Sequence, residues 1–163
     1  MESPIAVANY FIQKSFDTGE EMTPMKVLKL VYIAHGWNLG IKSEPLISEA
    51  VQAWQYGPVI ETVYHKFKDY GNKQITSLGS NFGFGITTPV IQDKKNESIL
   101  DKVWDVYKKY NGLQLSTLTH QSGTPWDIIW NQESGAHRKS AIIPNDLIQA
   151  HYKMKIQNNG AAA

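Results

Sequence analysis

The sequence predicts a mainly α-helical fold, a compact single domain of six to seven helices around one central apolar helix, with room for a short strand or hairpin. Three observations carry this. A hydroxyl residue followed by proline occurs at Ser3-Pro4, Thr23-Pro24 and Thr124-Pro125, pairing a capping side chain with a residue pre-set for the first helical position. Apolar residues recur at helical spacing behind each pair. The segment 24–39 is apolar on most sides, as a helix enclosed by its neighbours requires.

Taken in order, Ser3-Pro4 opens a first helix with Ile5, Ala8, Phe11, Ile12 and Ser15 on one face and an end near Asp17. Thr23-Pro24 opens the central helix, Pro24 to about Leu39, on which Lys26 and Lys29 mark the one solvated edge. Between Gly40 and Gln55, the runs Pro45-Leu46-Ile47 and Ala50-Val51-Gln52-Ala53 suit one short strand or an irregular approach to a turn, which periodicity does not separate. Pro58 is expected to start a third helix through Val59, Val63, Phe67 and Tyr70, stopped by Gly71. From Asn72 to Lys95 the chain is polar and glycine-rich, with Gly79, Gly83 and Gly85, and reads as a long loop that could hold a short hairpin. Loops of that length inside a compact domain are usually functional or mobile.

Asn96 is then expected to cap a helix carrying Ile99, Val103, Trp104, Val106 and Tyr107 along one side and ending near Gly112. Leu113 to Gln121 suits a short helix, and Thr124-Pro125 opens another through Trp126, Ile129 and Trp130 that fails at Gly135. Asn145 to Gln157 forms the last, with Leu147, Ile148, His151 and Tyr152 inward. No repeat, heptad seam or linker divides the chain, so residues 1–157 read as one domain and 158–163 as a disordered tail or cloning scar.

At 163 residues, folding should bury about 70% of the unfolded chain's surface, enough for a core without staples. Cysteine is absent, which excludes thiol catalysis, thiolate metal sites and a disulfide framework together. With no signal-peptide pattern and no long apolar run, the expected compartment is cytoplasmic. A formal charge of +1 is too balanced for a protein that mainly holds a phosphate backbone. Arg138 is the one arginine, so the planar fork used for base and phosphate recognition is nearly missing.

The most distinctive stretch is AWQYGPV, Ala53 to Val59, two aromatics beside a Gly-Pro break. Upstream lie Lys26, Leu28, Lys29, Leu30, Tyr32 and Gly36 on the central helix, then Pro45-Leu46; downstream lie Thr119-His120 and Pro125-Trp126. In order and spacing these blocks resemble the Panacea domain family of SocA-like and phage GepA-like antitoxins, from about Ser3 to Tyr152. Val27, where leucine is usual, and His35, where glutamine is common, are departures. The resemblance implies an antitoxin that neutralises, by direct binding, a toxin encoded beside it. The SocA branch further implies an adaptor that delivers its toxin to a cytoplasmic protease. It implies no catalytic residue, cofactor or metal.

His35 falls between Leu28, Val31, Tyr32 and Leu39 on the buried stripe and lacks a second ligand at i+4, so it reads as a hydrogen-bonded core residue. His120 with Thr119 and Asp127 could be a catalytic constellation of a small hydrolase or transferase, but no nucleophile elbow or acid–base pair accompanies it. Gly79 to Gly85, GSNFGFG, lacks the Lys-Ser/Thr of a phosphate loop. Lys94-Lys95 and Lys108-Lys109, with a helix-turn-helix reading of the capped helices, leave a DNA-binding regulator as an alternative. Lys26, Lys29, Tyr32, Gly57, Pro58, Thr119, His120, Pro125 and Trp126 read as structural. Trp54 and Tyr56, and above all Phe82 and Phe84 in the glycine-rich segment, are the expected toxin-binding anchors, because aromatic side chains dominate binding hot spots.

Overall fold

The structure is a computed structural model describing residues 1–162, with side chains described through Asn159. The expectation for 158–163 therefore lies partly outside the described residues. Seven α-helical segments run α1 (Pro4–Thr18), α2 (Pro24–Lys42), α3 (Glu61–Phe67), α4 (Glu97–Tyr107), α5 (Gly112–Thr119), α6 (Pro125–Asp127) and α7 (Asn145–Ala162). Strands β1 (Val51–Trp54), β2 (Gly57–Val59) and β5 (Ile142–Ile143) form a small antiparallel sheet in the order β2-β1-β5, while β3 (Asn81–Gly83) and β4 (Gly85–Thr87) form a separate hairpin.

Helix α2 is the axis of the fold. Fifteen of its residues are buried, and α1, α4, α5 and α7 pack around it. Thr23 accepts a hydrogen bond from the Lys26 N–H and Pro24 occupies the first turn, as the capping pattern predicts. The same geometry recurs at Thr124, which accepts from the Asp127 N–H. Ser3 precedes Pro4 but makes no side-chain cap, so there the proline alone sets the helix start. Against α2, the ring of Tyr152 from α7 packs directly on Gly36, with the Tyr152 Cβ beside Gly40. A GxxxG pair thus makes the groove that seats the last helix.

Several boundaries differ from the sequence reading. Pro58 does not start a helix: it pairs opposite Ala53 in β2, and α3 begins at Glu61. A proline with no N–H is as compatible with an edge strand as with a helix start. Lys26 and Lys29 are buried rather than solvated. Asn96 makes no side-chain cap; Asp93 accepts from the Lys95 N–H to open a 3₁₀ turn ahead of α4. After α6 the chain widens into a π turn over Ile128–Gln132. β5, formed by Ile142-Ile143, was not anticipated, two residues being too short for any periodicity.

The segment 72–95 is a hairpin on a fixed base. Ile75 is buried and its N–H donates to the Met22 carbonyl at 2.8 Å. Asn9 of α1 donates to the carbonyls of Gly79 (2.9 Å) and Pro89 (3.0 Å) and accepts from the Gly79 N–H (2.7 Å). One buried amide therefore holds both feet of the hairpin. Glu2 does the same further on, accepting from the N–H groups of Gln92 and Asp93 and from the Asn96 amide. Burial opposes its charge, but these three donors outweigh that cost and hold its carboxyl below the usual range.

Candidate functional site

Several of the distinctive motif residues, Lys29, Gly57, Thr119 and Trp126, meet at the β1–β2 turn although they are far apart in sequence. Gln55 and Tyr56 lie at its tip, and Gly57 follows with φ +113°. Neither tip residue has a positive φ, so Gly57 supplies the left-handed step that tight hairpins need.

Three carbonyls of this turn are each taken by a side chain from a different helix. The Trp126 indole Nε1 of α6 donates to the Trp54 carbonyl at 2.6 Å. Ser116 Oγ of α5 donates to the Tyr56 carbonyl at 2.6 Å. Lys29 Nζ of α2 donates to the Pro58 carbonyl at 3.0 Å. Thr119, whose hydroxyl returns to the Leu115 and Ser116 carbonyls, closes the packing around Gly57. The tip is fixed through its main chain, and Tyr56, 62% exposed, projects its ring outward.

Lys29 is the unusual member. Its side chain is fully buried, it has no carboxylate partner among the described residues, and burial pushes its pKa down to about 7. Burial also depresses Lys26, against the opposing pull of Glu20 and Glu21; Lys26 Nζ donates to the Lys108 carbonyl at 2.5 Å and stands over the Trp104 ring.

His120 lies beside this cluster, its ring 5.3 Å from that of Trp126 and its Nδ1 3.4 Å from Ser116 Oγ. Ser116 already gives its proton to the Tyr56 carbonyl. Asp127 takes the Asn131 and Gln132 amides and the Gly123 N–H, which hold its pKa below the usual carboxylate range. Among the described residues no nucleophile–base–acid chain is assembled. His35 is a core residue: its Nδ1 accepts from the N–H groups of Leu46 (3.3 Å) and Ile47 (3.5 Å), which leaves Nε2–H to donate to Asn145 Oδ1 at 2.9 Å. Burial lowers its pKa, only partly offset by Asn145. Among the described residues no cluster of His, Asp or Glu could hold a metal ion.

Phe82 and Phe84 do not meet this cluster. They sit on the β3–β4 hairpin, every residue of which is exposed: Phe82 is 79% exposed, Phe84 fully so, and Ile86 pairs across from Phe82. Neither ring folds back onto the domain. Lys94-Lys95 and Lys108-Lys109 stand beyond opposite ends of α4, about 20 Å apart at helical rise, and make no continuous basic stripe.

The model of the Antitoxin SocA-like, Panacea domain family matches residues 27–127, from the central helix through Trp126-Asp127. The chain belongs to this family. Among curated proteins it is similar to Antitoxin SocA of Caulobacter vibrioides (strain NA1000 / CB15N), 31% identical over 130 residues that cover 77% of this chain and 69% of that protein. No solved structure matches. No helix among the described residues is long and apolar enough to cross a membrane.

Of the motif residues, Lys29, Gly57, Thr119 and Trp126 thus share one physical role, holding the β1–β2 turn against three helices. Ser116, Asn9, Glu2 and Ile86 escaped the sequence reading. Asn9 left a signal, a polar side chain between Ile5 and Ile12 on an otherwise apolar helical face. Ile86 left another, two residues beyond Phe84 in an alternating run.

The buried Lys29 makes stability depend on pH. Below about pH 7 it is charged in both folded and unfolded protein, and the full cost of burying the charge is present. Between pH 7 and about 10.5 the unfolded chain keeps a proton the folded one has lost, so stability rises with pH, at up to about 1.4 kcal/mol per unit. Urea unfolding of wild type and Lys29→Met at pH 7, 8 and 9 isolates this term. The wild-type advantage should grow with pH; parallel profiles would show that the ammonium is not titrating there.

Proposed function

We propose that this Panacea-family protein neutralises a toxin by direct binding and that the β3–β4 hairpin is the docking element. The carrying observation is the exposure of Phe82, Phe84 and Ile86 on a two-stranded hairpin whose feet are held by the buried Asn9. A lone hairpin is marginal in water, and three exposed apolar side chains on it have no role in the domain's own core. A fixed base with an apolar tip limits the ordering cost of association. Trp54 is half-buried against Tyr64 and belongs to the turn, while the exposed Tyr56 is a second contact. The similarity to Antitoxin SocA of Caulobacter supports the antitoxin role; the toxin is expected to be encoded beside this protein.

The test is co-expression with the neighbouring gene product, followed by measured affinity for it. Replacing Phe82 and Phe84 by serine should leave the melting transition unchanged, because neither ring packs on the domain. Affinity should fall by about 2 kcal/mol or more, and rescue should weaken with it. Unchanged affinity would remove the hairpin from the interface. Toxin that disappears in ordinary cells but accumulates as a complex in protease-deficient ones would assign delivery to a cytoplasmic protease rather than sequestration.

A further inference from the structure

A cavity of about 210 Å³ opens between α2, α4, α5 and α7, away from the β3–β4 hairpin. Tyr32, Tyr107, Tyr110 and Tyr152 line it. Tyr32 and Tyr152 are nine-tenths or more buried, and among the described residues neither hydroxyl is held by a hydrogen bond. The Tyr107 hydroxyl accepts from the Trp37 indole at 3.1 Å, which leaves its own proton to donate elsewhere. Buried hydroxyls normally find partners, yet Tyr32, Tyr107 and Tyr152 donate their protons to no acceptor among the described residues.

The rest of the lining has one sign. It contains no Asp or Glu, the Thr119 and Thr124 hydroxyls already donate to backbone carbonyls, and Lys155 stands at the exposed rim. Burial, with the nearby Lys155, brings His151 down to about 4, so it is neutral at physiological pH. Ile33, Val106 and Leu118 supply apolar wall. A cavity of roughly 150 Å³ accepts benzene, so this one has room for a single ring carrying a small polar group.

We propose that this cavity binds a small aromatic carboxylate, its ring against the apolar wall and its oxygens accepting from the tyrosine hydroxyls, with Lys155 supplying the countercharge. This stands apart from toxin binding, because none of the cavity residues lies on the hairpin.

Calorimetric titration of the whole protein with benzoate tests it, with benzyl alcohol as the uncharged control. Tyr32→Phe and Tyr152→Phe keep the rings and remove only hydroxyls without partners, so both variants should fold; Lys155→Gln, at an exposed position, serves as a third variant with no core at stake. Saturable benzoate binding is expected, weaker by about fivefold or more in each variant, with benzyl alcohol weaker still. Absence of saturable binding to wild type, benzoate affinity unchanged in all three variants, or benzyl alcohol bound as tightly as benzoate would each overturn the assignment.

Discussion

Gly36→Ala should destabilise the protein by about 3–5 kcal/mol, although alanine in a helix interior is ordinarily better than glycine by about 1 kcal/mol. A Cβ at position 36 would clash with the Tyr152 ring at its Cε2, Cζ and Cδ2 atoms. The ring belongs to α7, so the helix must either lift or surrender a fully buried aromatic, a loss on the scale of a Phe→Ala truncation in a core. For a domain of this size that lowers Tm by about 10 °C. The decisive measurement is the double-mutant cycle with Tyr152→Ala. With the ring removed, Gly36→Ala should change sign and stabilise; equal destabilisation in both backgrounds would mean that the GxxxG groove does not seat α7.

Gly57→Val carries the second large effect, about 3–5 kcal/mol. The backbone at φ +113° is strained for any side chain, at about 1–3 kcal/mol. A Cβ there also comes within 2.8 Å of Lys29 Nζ and 3.3 Å of Thr119 Oγ1. Pushing Lys29 off the Pro58 carbonyl leaves a buried donor and acceptor unpaired, which adds about 1–3 kcal/mol. Gly19→Val is the control: φ is +74° and the surrounding space is open, so only the backbone strain applies. Equal losses at the two positions would show that the contact with Lys29 contributes nothing. A Gly57→Val protein with wild-type Tm and no function would move the turn into the binding surface.

The sequence carried the helices well where local chemistry and burial agree. Thr23-Pro24 and Thr124-Pro125 cap as expected, and the apolar run behind Pro24 forms the buried centre. It misled where one residue type serves two backbones, as at Pro58, and where charge was taken to mean solvent. Lys26 and Lys29 look like a polar edge because composition cannot show that a carbonyl from Lys108 or Pro58 will be brought to each ammonium. The meeting of the motif residues was legible only as a family pattern; their common target, the carbonyls of Trp54, Tyr56 and Pro58, is invisible in one dimension because no side chain at the target marks it. The hairpin was half legible. Its glycines and phenylalanines stood out, but the Asn9 amide that fixes its feet acts across seventy residues.

Holding a turn by its carbonyls separates anchoring from identity. The Ser116 hydroxyl grips the main chain of residue 56, so the side chain there is an independent variable: any L-residue that accepts the same φ and ψ keeps the grip. Tyr56 can therefore be exchanged at little cost to the fold, and a lineage confronted with a changed partner has at this vertex a position where contact chemistry can drift while the scaffold beneath it stays still.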